Sequence, residues 1–118
     1  MPRPLLALPL LAVIFTCAGL PAVQAASFDC ARAQAADEKA VCASMALSDL
    51  DVRMATLFEV ASHLAAMGQR GLLQDDQRAF LKERASCGAD AACLAGAYDA
   101  RIRAINRVLQ SIYSRGPF

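Results

Sequence analysis

From Leu47 onward the apolar residues recur at intervals of three and four. Leu47, Leu50, Met54, Leu57, Phe58, Ala61, Leu64 and Ala65 mark the buried face of a long helix opening at Ser44 or Ser48. Gly68 and Gly71 interrupt that stripe, as a helix end and a turn do. A third helix is expected from Leu72 to about Ser86, burying Leu73, Phe80, Leu81 and the stem of Arg84. Cys87-Gly88-Ala89-Asp90 breaks it, and Asp90 is placed to cap the last helix. That helix carries Leu94, Ala97, Tyr98, Ile102 (or Arg101), Ile105, Val108, Leu109 and Ile112, and ends before Gly116-Pro117. Upstream, residues 26–36 read as irregular, anchored by Phe28 and Cys30, and Asp37 is the expected N-cap of a short helix over 38–42. No segment sustains two-residue alternation. The pattern predicts an all-α fold: a small bundle of three main helices plus a short N-terminal helix, clamped by two disulfides.

The first residues follow a different rule. Arg3 precedes an apolar run from Leu5 to Phe15, which breaks at Gly19 and Pro21. Val23-Gln24-Ala25 then offers small or aliphatic residues at the positions that signal peptidase reads. Residues 1–25 are therefore expected to be a cleavable signal peptide, too short and too broken by proline for a lasting membrane span. Residues 26–118 are expected to be a single domain, acting in the periplasm or secreted. Ile14-Phe15-Thr16-Cys17 is a poor lipidation box, because threonine stands where a smaller residue is usual; a lipid anchor on Cys17 is the minor alternative.

Loss of the leader removes Arg3 and leaves 11 basic residues facing 11 acidic ones. No overall basic field attracts nucleic acid, and none is expected as a partner. Four cysteines remain: Cys30, Cys42, Cys87 and Cys93. An even number in so short an exported chain reads as a disulfide framework. Three pairings are open. The local pairs Cys30–Cys42 and Cys87–Cys93 are favoured, because each ties a helix to its adjoining segment. Neither pair has C-x-x-C spacing and the one histidine, His63, is far off, so no metal site and no cofactor is expected.

Phe28-Asp29-Cys30, Glu38 to Cys42 and Leu50-Asp51 form the first half of a longer pattern. Its second half is Gln77 to Arg84, Cys87, Cys93-Leu94, Tyr98 and Arg101-Ile102. Together, in order and over nearly all of residues 26–118, they resemble the LprI-type lysozyme-inhibitor domain family of exported bacterial proteins. Phe80 stands where that family usually has tryptophan. The resemblance implies a small helical bundle, the two local disulfides, and binding to lysozyme with its inhibition. It supplies no catalytic motif.

Asp75 and Asp76 are adjacent, so on a helix they point about 100° apart and do not face one another; they read as complements to a helix start. His63 has no nucleophile or carboxylate at a recognisable spacing and reads as a solvated or boundary residue. Arg101, Arg103 and Arg107 on the last helix, followed by Arg115, read as a solvated face, with a patch for anionic lipid or wall polymer as the sharper alternative. Asp51 and Arg84 flank buried stripes and are expected to form a structural ion pair between helices. No nucleophile–base–acid set or phosphate-cradling loop is visible, so the chain is not expected to be an enzyme. The expected function is an exported envelope binding protein that occludes a muramidase cleft. Asp37 and Glu38 at an exposed cap, and Asp90 in its turn, are the candidate contacts. The alternative is a non-catalytic periplasmic module that binds another envelope protein and no lysozyme.

Overall fold

The computed structural model describes residues 25–116. The expected leader, except Ala25, and Cys17 lie outside them. Four α-helices follow a single 3-10 turn at Cys30–Arg32: α1 (Ala36–Ala43), α2 (Met45–Leu64), α3 (Met67–Ser86) and α4 (Ala91–Tyr113). No strand occurs among the described residues. The all-helical bundle with a short leading helix is as the apolar periodicity dictates.

Helix boundaries are set by side chains that take up unpaired backbone groups. At α1 the expected cap is corrected. The helix begins at Ala36, and the Glu38 carboxylate accepts from the backbone N–H groups of Gln34 (2.9 Å) and Ala35 (3.2 Å). Asp37 thereby becomes the second helical residue and turns inward, 3% exposed. Ser44 caps α2 by accepting from Leu47 N–H, and the Ser48 hydroxyl, one turn on, donates to the Val41 carbonyl of α1. Asp90 caps α4 as expected, accepting from Cys93 N–H at 2.9 Å.

The α2–α3 break is also corrected. It falls at Ala65-Ala66, both extended, whereas Gly68 and Gly71 lie inside α3, which begins at Met67 and not at Leu72. The chain can turn there without a glycine because Arg70 reaches back: its guanidinium donates to the carbonyls of Ser62 (2.7 Å) and Ala65 (3.1 Å). At the other end of α3 the left-handed backbone does fall on a glycine, Gly88, with φ +56°. Asp75 and Asp76 consequently sit well inside α3, away from its first turn.

The long helices run up, down and up, with α4 packed chiefly on a parallel α2 and α3 antiparallel across them. Leu47, Met54 and Ala61 of α2 meet Leu94, Tyr98, Ile105, Leu109 and Ile112 of α4, and Leu73 and Phe80 close the core from α3. Leu81, expected inside, is 42% exposed; α3 buries a narrower face than its sequence suggested. Phe80 and Tyr98 pack edge to face with centroids 5.2 Å apart. The bridges Cys30–Cys42 and Cys87–Cys93 are both present. Each closes a short loop, worth about 2–3 kcal/mol by restricting the unfolded chain. Disulfides of this kind persist in oxidising compartments outside the cytoplasm. No helix among the described residues is long and apolar enough to cross a membrane.

Candidate functional site

The most elaborate polar arrangement among the described residues is buried. Arg84 lies at the centre, contributed by the last turns of α3. Its Nε donates to Asp37 Oδ2 at 2.8 Å and its Nη1 to the Tyr98 hydroxyl at 3.4 Å. The Tyr98 hydroxyl donates in turn to Asp51 Oδ1 at 2.9 Å, and Asp51 Oδ2 accepts from the backbone N–H of Ser27 at 2.7 Å. The expected Asp51–Arg84 pair is thus a contact of 3.9 Å bridged by Tyr98, while Arg84 makes its close ion pair with Asp37. Phe28 covers the guanidinium from the N-terminal segment, 5.4 Å from ring centroid to Cζ. One network therefore ties α1, α2, α3, α4 and the segment before the first disulfide.

The electrostatics fit a structural role. Burial acts to lower the Arg84 pKa, but the hydrogen bonds and charges of Tyr98 and Asp37 outweigh it and hold the guanidinium above its ordinary value. Burial first, and then the charge of Asp51, push the Tyr98 phenol well above its usual range, with Arg84 pulling the other way. Asp37, Asp51 and Arg84 are each at least nine-tenths buried, so no substrate reaches them.

A second buried arginine crosses the α3–α4 seam. Arg101 donates to Gln77 Oε1 (2.9 Å) and to the Leu73 carbonyl (3.0 Å), with Asp76 at 3.8 Å and the Phe58 ring beneath it. Burial lowers its pKa, and Asp76 offsets part of that shift. Arg101 is therefore not part of a solvated arginine face. An open groove of about 300 Å³ lies above it, walled by Asp76 and Glu83 and floored by small residues and Phe80.

The candidate contact residues separate. Asp37 is removed from the surface by its pairing with Arg84 and is no contact for a partner. Glu38 is engaged in capping α1. Asp90 also caps its helix, through Oδ1, and remains exposed on a turn closed by the Cys87–Cys93 bridge. His63 is exposed beside Glu59, and Asp75 pairs with Arg78. Among the described residues no group of His, Cys, Asp or Glu is arranged to hold a metal ion. The roles of Tyr98, Gln77 and the Ser27 N–H were not foreseen. For the first two the signal was present, since a polar group on a buried stripe needs a partner on a facing helix.

These features define a disulfide-clamped helical bundle with an ionic core. No protein-family model matches the chain, and no curated protein or solved structure matches it.

Proposed function

We propose that the protein is an exported binding protein that inhibits a lysozyme-type muramidase by entering its cleft. The observation that carries this reading is the turn from Cys87 to Cys93. Between its bridged ends it presents only Gly88, Ala89, Asp90, Ala91 and Ala92. Small side chains make it a narrow wedge, the disulfide removes most of its freedom, and Asp90 is its single charge. Rigidity lowers the entropy lost on docking. A lone carboxylate at the tip suits the basic rim of a lysozyme. The buried charged groups Asp37, Asp51, Arg84 and Arg101 are all engaged in internal contacts, which favours a scaffold that binds over one that reacts. The resemblance to the LprI-type family, carried by sequence pattern alone, points the same way.

The test is a titration of oxidised Ala26–Phe118 into a cell-wall lysis assay with a c-type lysozyme. Saturable inhibition, lost on reduction and weakened about tenfold or more by Asp90→Asn, which removes the charge and keeps an oxygen to cap α4, is the expected outcome. Folded protein that leaves lysis unchanged at large molar excess excludes that enzyme class as the target. The chain then acts as a non-catalytic module on another envelope component.

A further inference from the structure

The end of the bundle opposite the Asp90 turn has a different character. There the α2–α3 turn meets the C-terminal turns of α4. Met67 is 85% exposed, Leu72 66%, Tyr113 55% and Leu64 40%. Leu64 and Leu72 line an open hollow of about 630 Å³ together with Ala66 and Ile112, with Gln69 and Arg115 on its rim. Arg115 donates to Gln69 Oε1, and Gln69 Nε2 donates to Ser111 Oγ, so the two chain segments form one continuous surface.

Charge is segregated onto the same end. Residues 60–74 and 100–116 contain five arginines (70, 101, 103, 107 and 115) and no aspartate or glutamate. All 11 acidic residues lie elsewhere in the chain. Of the carboxylates nearest this end, Asp75 pairs with Arg78 and Asp76 lies 3.8 Å from Arg101, while Glu59 and Asp99 stand exposed just outside it. Of the arginines, Arg101 is buried and Arg70 caps α2, which leaves Arg103, Arg107 and Arg115 exposed along the flank of α4.

We propose that this end docks onto a bilayer surface rich in anionic lipid, with phosphatidylglycerol-type headgroups on the arginines. Exposed Met and Leu side chains at a helical tip lose water contact by entering the headgroup–acyl boundary, and tyrosine is suited to that boundary. Arginines beside them meet lipid phosphates, and the lack of carboxylates removes the repulsion that an anionic surface otherwise imposes. A soluble anionic polymer satisfies the arginines but leaves Met67 and Leu72 in water; a lipid surface satisfies both. This surface is separate from the Asp90 turn and independent of lysozyme binding.

The test is co-sedimentation of oxidised Ala26–Phe118, which holds all four helices and both bridges, with vesicles of two compositions. One is phosphatidylcholine alone; the other adds phosphatidylglycerol. Binding only to the anionic vesicles is expected, falling steeply with salt. It is expected to weaken about tenfold in Met67→Ser/Leu72→Ser and by a similar factor in Arg107→Gln/Arg115→Gln. All four side chains are at the surface, and circular dichroism checks that each variant is folded. Three outcomes overturn the proposal: no pelleting with anionic vesicles; pelleting displaced by polyphosphate and indifferent to the Met67/Leu72 change; or concentration-dependent dimerisation that Leu72→Ser abolishes, with no vesicle binding.

Discussion

Arg84 illustrates what a single buried charge does in a domain of this size. It touches Asp37 directly and Asp51 through Tyr98, so its removal strands Asp37 in the core and leaves Asp51, still hydrogen-bonded by Tyr98 and Ser27, without its counter-charge. Arg84→Met is expected to cost about 3–5 kcal/mol of stability, read by urea unfolding. Tyr98→Phe keeps the ring against Phe80 and loses only the hydroxyl bridge, at about 1–3 kcal/mol. A larger loss from the tyrosine change means that the hydroxyl, and not the guanidinium, organises the network. Tyr98 also sets an alkaline limit. Its folded-state pKa is raised above the ordinary 10.0, first by burial and then by Asp51, so the folded state holds the phenolic proton more tightly than the unfolded chain. That contribution is complete below pH 10 and is lost as pH rises beyond it towards the folded-state value. Stability of the native protein should therefore fall above pH 10, and Tyr98→Phe should flatten that limb. Much of this was legible. Asp51 and Arg84 stand at core spacing on their helices, so a pairing followed from the cost of burying a lone charge. Asp37 has the type that suits an N-cap, and only the reach of Glu38 back to Gln34 and Ala35 shows that the cap lies elsewhere.

Among the elements, α3 departs most from its sequence. It buries Leu73, Phe80 and Arg84 and little else, and it carries Gly68 and Gly71 in its first turns. Glycine and a weak apolar stripe read as a turn, and nothing local overrides that reading. The deciding contact is tertiary: Arg70 terminates α2 with its own guanidinium, which lets α3 begin immediately after Ala66. The same placement predicts a stabilising substitution. Gly71 has negative φ, and a Cβ built there meets nothing within 4 Å. Gly71→Ala should therefore gain about 0.5–1 kcal/mol by lowering the freedom of the unfolded chain and raising helix propensity. Thermal unfolding measures it. A loss instead of a gain places Gly71 in a turn, as the bare sequence pattern had it.

At the scale of the molecule, an overall charge near neutral conceals a polar arrangement. The acidic residues lie outside 60–74 and 100–116, and the fold brings those two segments to one end while the Cys87–Cys93 turn occupies the other. Composition could not show this, since both signs cancel in the sum; only the up-down-up path of α2, α3 and α4 gathers five arginines without a carboxylate at one end, the other basic residues lying among the acidic ones. From Asp90 to Arg115 the helix rise separates the two surfaces by about 35 Å. Exposed charges so far apart are screened from one another at physiological salt, and substitutions at such distances act additively. Asp90→Asn should accordingly weaken lysozyme inhibition and leave binding to anionic vesicles unchanged, while Arg107→Gln/Arg115→Gln should do the reverse. Both assays on both variants, and on the combined variant, test this separation. Equal losses of inhibition from the two changes mean that lysozyme contacts the arginine end or the long flank of α4, and the wedge reading of the Asp90 turn then fails. Independent losses mean that one end of the bundle can rest on a lipid surface while the other projects its carboxylate towards a soluble enzyme.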